Sequence, residues 1–203
     1  MISLSEILHT IAQALMIPCL IILIILMAGA VWQIGDIVVE YIAERRKHKC
    51  NVPQLLRDVH AAGADGLAEL IENSGLLRRQ KKALLELAES RGLPKDTLTA
   101  LAERLLATEE ARNARTISIT DMIAKLGPMF GLLGTLIPLG PGIVALGQGD
   151  TVTLSESMNV AFDTTIAGVI SAAVASVISH IRKRWYNDDM VSLETLMEAV
   201  LEE

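Results

Sequence analysis

Five polar side chains stand in or beside long uncharged stretches of this 203-residue chain, and their types suit proton handling rather than bond making. Thr135 closes a glycine-rich run. Thr164 and Thr165 open a run of Ala, Ser, Val and Ile that also holds Ser176, and Asp163 directly precedes them. A hydroxyl both donates and accepts, so a row of hydroxyls supports a water chain that relays protons without itself titrating. A carboxylate there can take up and release a proton, and an acid inside an apolar segment is a functional candidate by default. Each has a plainer reading. A hydroxyl can bond back to a carbonyl of its own helix, and Asp163 can be hydrated at the membrane's outer interface.

Other chemistries find no support. The four histidines, His9, His48, His60 and His180, are scattered with no cysteine or carboxylate at ligand spacing, so no metal centre is expected. Cys19 lies in an apolar run and Cys50 in a charged one, which makes pairing between them unexpected. The Gly63-Ala-Asp-Gly66 segment lacks the Lys and the strand that a phosphate loop requires. No nucleophile, base and orienting group gather at one place, so an enzyme is not expected. A net charge of -6 and 3% aromatic residues argue against a nucleic-acid partner. No cofactor is expected either.

The elements that must carry these side chains are apolar helices. The chain is 51% hydrophobic, yet all 18 Lys and Arg fall between Arg45 and Lys125 or between Arg182 and Arg184. Charge is therefore segregated, unlike on a soluble globule. No Asp, Glu, Lys or Arg occurs from Ile7 to Gly35, from Leu126 to Gly149, or from Thr164 to Ile181. A helix crosses the hydrocarbon core in about 20 residues, so the runs predict three spans near 14–38, 122–147 and 156–181. The first, rich in Ile and Leu, reads as facing lipid. The second and third, rich in small residues, read as facing protein.

The fold class expected is all-α: an integral membrane protein with three transmembrane helices and a helical cytoplasmic insert. Residues 1–43 hold the outer N-terminus and first span, 44–116 the insert, and 117–203 the second and third spans with a short outer loop and a tail. Segments rich in Lys and Arg stay cytoplasmic, which places the insert and C-terminus inside and the N-terminus and the loop near Asp150 outside. Within the insert, Leu67, Leu70 and Ile71, then Leu77, Leu84, Leu85 and Leu87, then Leu98, Leu101, Leu105 and Leu106 keep helical spacing. Breaks are expected at Asn73-Ser74-Gly75 and Arg91-Gly92-Leu93-Pro94, and the last helix is expected to run into the second span. The basic cluster from Arg78 to Lys82 reads as a solvated face, with anionic lipid as the weaker reading.

Seven of the 14 glycines and three of the six prolines lie between Gly127 and Gly149. Gly127, Gly131 and Gly134 share one face at intervals of three and four residues, and Gly168 lies on the third span's small-residue line. These four predict close helix packing, and through it a homo-oligomer. Pro128, Pro138 and Pro141 remove backbone donors and favour kinks in the second span; a second reading of Pro138 and Pro141 is that they end the helix toward the outer loop. Ser155 is expected to cap the third helix, with Glu156 in its first turn.

The segment Gly127-Pro-Met-Phe-Gly-Leu-Leu-Gly-Thr135 resembles the second-span motif of the MotA/TolQ/ExbB proton channel family, closest to its TolQ/ExbB branch. Thr165-Ile-Ala-Gly168 is similar to that branch's third-span Thr-x-x-Gly. The similarity is strongest from Leu126 to Ser179, and the order of spans and insert matches as well. The resemblance implies a stator ring in the cell inner membrane, typically pentameric. Such a ring surrounds two copies of an ExbD/TolR-like single-span partner whose aspartate is protonated and released. It also implies that Thr135 and Thr165 are the pore threonines. Two departures stand out: Val160 occupies the position where the branch commonly has a glutamate, and Pro138 replaces a glycine.

A non-conducting oligomeric scaffold would use the same glycines without needing the threonines. A small solute transporter would be expected to show internal repeats, and none is found among the three runs.

Overall fold

The computed structural model describes residues 4–45 and 51–202. Arg46, Lys47, His48 and Cys50, which entered the charge map and the cysteine argument, lie outside the described residues. Among the described residues six α-helices follow one another: α1 Leu4–Ala14, α2 Met16–Glu40, α3 Val52–Asn73, α4 Arg78–Glu89, α5 Lys95–Gly147 and α6 Thr151–Glu202. A π-helical turn, Tyr41–Arg45, follows α2 directly. No strand occurs among the described residues. Among the described residues three helical stretches are long and apolar enough to cross a membrane, lying in Glu6–Ala43, Lys95–Gly147 and Thr151–Leu201. The chain is an all-α membrane protein.

Local chemistry explains most boundaries. Pro18 has no N–H for the carbonyl of Ala14, and its ring crowds that group; the break between α1 and α2 falls there. Pro53 occupies the first turn of α3, where donors have no intrahelical partner. The Pro94 carbonyl accepts from Thr97 and Leu98 to open α5.

The α5 helix continues to Gly147, where the second span is expected to end, and Pro128, Pro138 and Pro141 lie inside it rather than ending it. Each proline removes one donor, and a helix in a membrane retains the rest because no water would replace them. Ser155 does not cap the third helix. Asp150 does, its carboxylate accepting from the N–H groups of Val152 and Thr153 and from the Thr153 hydroxyl. These bonds hold the Asp150 carboxyl below its usual range, the Thr153 hydroxyl contributing most. Gly149, at φ +76°, makes the turn: its N–H bonds to Leu146 and that of Asp150 to Ala145, a left-handed helix end that favours glycine.

The described residues form two compact units. The first comprises the described residues through Gly35 with Ser118–His180; the second runs from Asp36 to Ile117 and from Ile181 onward. The tail after the third apolar run thus groups with the insert. In the first unit α2 buries a narrow stripe, Cys19, Leu23, Leu26, Ala30 and Gln33, while Ile17, Ile21, Ile24, Ile25 and Val31 stay exposed. Leu26 and Ala30 pack with Ile123 of α5 and Ala175 of α6. One face of α2 is thus left to a surrounding apolar solvent.

The second unit has a different core, built from leucines of four helices. Leu55, Leu67 and Ile71 of α3, Leu84 and Leu87 of α4, Leu98 of α5, and Leu193, Leu196 and Met197 of α6 form one buried cluster. Burying each such side chain contributes about 1.5–3 kcal/mol relative to exposure. In the same unit, Asp36 and Glu40 at the end of α2 pair with Arg182 of α6. The C-terminal ends of the first and third apolar runs therefore lie together, as three successive crossings require.

Candidate functional site

The first unit's centre is a contact between α5 and α6 made by absent side chains. A methyl group built on Gly127 would stand 2.7 Å from the Gly168 carbonyl oxygen. One on Gly168 would stand 2.5 Å from the Gly127 oxygen and 2.9 Å from the Gly131 Cα. One on Gly134 would meet the Thr164 side chain at 2.6 Å, whereas one on Gly131 would find only ordinary contacts, 3.4 Å from the Thr164 oxygen. The four glycines and the two threonines of α6 thus meet within a single chain. The glycine face that the sequence assigns to contacts between copies is occupied inside the protomer. The surfaces left for other molecules are the exposed apolar faces, including Leu132 and Leu136 of α5 and Ile166 and Ile170 of α6.

Each motif hydroxyl donates to its own helix. Thr135 Oγ1 donates to the Leu132 carbonyl at 2.6 Å, and Thr165 Oγ1 to that of Ala161 at 3.0 Å. Thr164 Oγ1 is shared between the carbonyls of Val160 and Ala161. Their donors are therefore used, and what remains is acceptor capacity. Thr135 and Thr165 are half-buried and can offer it outward, whereas Thr164 is buried at 4% exposure. Ser176, eleven residues beyond Thr165, returns to within about 20° of it around α6, and it is exposed.

Asp163 does not join that line. Two residues before Thr165, it lies about 160° away around the helix. It is exposed among Phe162, Ile166 and Ile170. One copy of α6 therefore cannot present Asp163 and Thr165 to the same path. A second acid escaped the sequence reading. Asp121, at the foot of the α5 span, accepts from the Ser179 hydroxyl of α6. Its position just before an uncharged run concealed it.

The second unit holds a charged cluster that the sequence reading also missed. Arg182 is 1% exposed. Its Nε donates to Glu40 at 3.2 Å and its Nη2 to Asp36. Tyr186, beyond the predicted third span, hydrogen-bonds to Glu40; burial first, and then the Glu40 charge, push its phenol well above the ordinary range. Gln80 donates to the Asp189 carbonyl and accepts from the Leu77 N–H, capping α4. These groups line a cavity of about 310 Å³ that Arg78 and Arg79 also border. One signal was available: two acids four residues apart after the first run, and a basic triplet after the third. Nothing local announces that they meet, because Arg182 is 146 residues from Asp36.

Among the described residues no group of histidines, cysteines and acids could hold a metal ion. The model of the MotA/TolQ/ExbB proton channel family matches residues 69–195. No curated protein matches the chain.

Proposed function

The chain belongs to the MotA/TolQ/ExbB proton channel family, and from that premise we propose that it is the ring subunit of an ion-driven stator in the cell inner membrane. Protons, in this reading, pass between an aspartate on a single-span partner chain and the threonine-bearing face of the ring, and their flow is coupled to mechanical work or transport. The ring is a homo-oligomer, a pentamer by the family's pattern, around two ExbD/TolR-like partners.

The observation that carries this reading is the state of the motif hydroxyls. Thr135 and Thr165 sit beside a contact closed by glycines, half-buried, with their protons committed to helix carbonyls. Such an oxygen accepts a hydrogen bond from water or from a protonated carboxyl, and it does not titrate near neutral pH. It can therefore hold a proton-bearing partner group in place and release it unchanged. The non-conducting scaffold draws on the same facts, since a self-bonded threonine can be mere packing.

The double variant Thr135→Val with Thr165→Val keeps shape and removes both acceptors. In liposomes with the partner chain, the ring is expected to assemble and partner-dependent proton flux to be abolished. Flux at the wild-type level in an assembled complex would establish the scaffold's view of these threonines. Replacing sodium for protons in the driving gradient identifies the ion.

A further inference from the structure

The Arg182 cluster makes more contacts than packing needs. Asp36 and Glu40 are four residues apart, hence one above the other on one face of α2. The planar guanidinium of Arg182 reaches both, through Nε and Nη2. Its donors have a fixed fork geometry, so it fits two acceptors in one relative rotation of the helices. Tyr186, one turn along α6, bonds to Glu40 as well. Trp185 stacks on Tyr41 at 6.1 Å between ring centroids. Three neighbouring positions of α6 thereby engage two of α2 and the first residue of the π-helical turn that follows it.

Cohesion alone does not explain this choice. Well-packed apolar side chains of similar volume often replace a buried ion pair without loss. What the fork adds is orientation. Asp36 keeps about half its side chain exposed while its partner is fully enclosed, so the contact stands at the wall of the cavity rather than deep in a core.

We propose that Arg182 is a positioning residue for ion transfer: by clasping Asp36 and Glu40 it fixes the rotation of α2 against α6 in the second unit, and flux per assembled ring depends on that fixation. The inference rests on the channel reading above. A Lys at this position keeps the charge but has no planar fork to hold both acceptors in one geometry. The graded series Arg182→Gln, Arg182→Lys, Tyr186→Phe separates loss of charge, loss of the fork and loss of one hydrogen bond.

Two measurements on the full chain decide it. The first is crosslinking of cysteines placed at Val39 and Met190, both on the cavity wall, in a chain with Cys19 and Cys50 replaced. The second is proton flux with the partner chain in liposomes, counted per assembled ring. Arg182→Gln is expected to lower both the crosslinking yield and the flux at least tenfold. Arg182→Lys is expected to restore crosslinking only partly and flux by less than half, with Tyr186→Phe close to wild type. Should Arg182→Gln yield no ring, the single variants Asp36→Asn and Glu40→Gln, each leaving Arg182 one carboxylate, are expected to reproduce the Lys result. Full flux per ring in those variants, or in Arg182→Gln, overturns the positioning role while leaving the channel reading intact. Unchanged crosslinking in Arg182→Gln overturns the clasp itself. A wild-type complex that conducts nothing overturns the channel reading and the transfer role together, with crosslinking still testing the clasp.

Discussion

The two units of this chain are held by opposite means. In the first, α5 and α6 approach because Gly127, Gly134 and Gly168 have nothing to keep them apart, and the threonine hydroxyls at that contact bond to their own helices. In the second, leucines from four helices fill a common core, and Arg182 and Gln80 reach across to other elements. The solvent explains the difference. In water, apolar area is driven inward, so a core gains from every added methylene up to close packing. In lipid the surroundings are as apolar as leucine, so helices associate through close backbone contact. The first unit is therefore intolerant of added atoms and the second of removed ones.

Introducing the same residue, alanine, into both regions tests this. The largest effect is expected for Leu87→Ala, at a side chain that is 0% exposed. Truncating a buried leucine costs about 2–5 kcal/mol, read as a lowered midpoint of unfolding in detergent. Gly168→Ala follows. Its methyl would meet backbone atoms of Gly127 and Gly131 that cannot swing aside, and overpacking of this kind costs about 1–3 kcal/mol. Gly131→Ala, only four residues from Gly127, is expected to change little because its methyl finds ordinary contacts. If Gly131→Ala proved as damaging as Gly168→Ala, the glycine contact would lie elsewhere than here. Gly131→Leu, whose longer side chain does not fit, is expected to separate α5 from α6 within the protomer.

The smallest effect belongs to Asp150, where water reaches the first unit. Its carboxyl is held below the usual value of 3.8. A group with a lowered folded pKa stabilises above its unfolded pKa and stops doing so as pH falls through the folded one. The wild type is therefore expected to lose slightly more thermal stability than Asp150→Asn between neutral pH and the strongly acidic range below 3.8. Parallel curves for the two chains would remove the cap from the account.

Much of the molecule was legible before any fold was known. Charge-free stretches marked the apolar helices, because ionised side chains are costly in hydrocarbon. Leu67, Ile71, Leu84, Leu87 and Leu98 revealed the second unit's core through their spacing, while Leu193 and Leu196 were passed over in a segment read only as a tail. The breaks at Asn73–Gly75 and Arg91–Pro94 were visible from their residue types. The threonines were legible by motif, and Asp163 was paired with Thr165 by nearness in sequence, although a helix sends residues two apart to opposite faces.

The sequence by itself determined which segments are helical and which prefer lipid, since both follow from local composition and period. It did not determine partners. That Gly168 rather than Gly131 is the tight point depends on where α5 crosses α6. That Arg182 finds Asp36 and Glu40 depends on two distant helix ends arriving at one place. Helix formation is a matter of neighbouring residues, whereas contact is a matter of how whole helices lie, and only the tertiary structure fixes that.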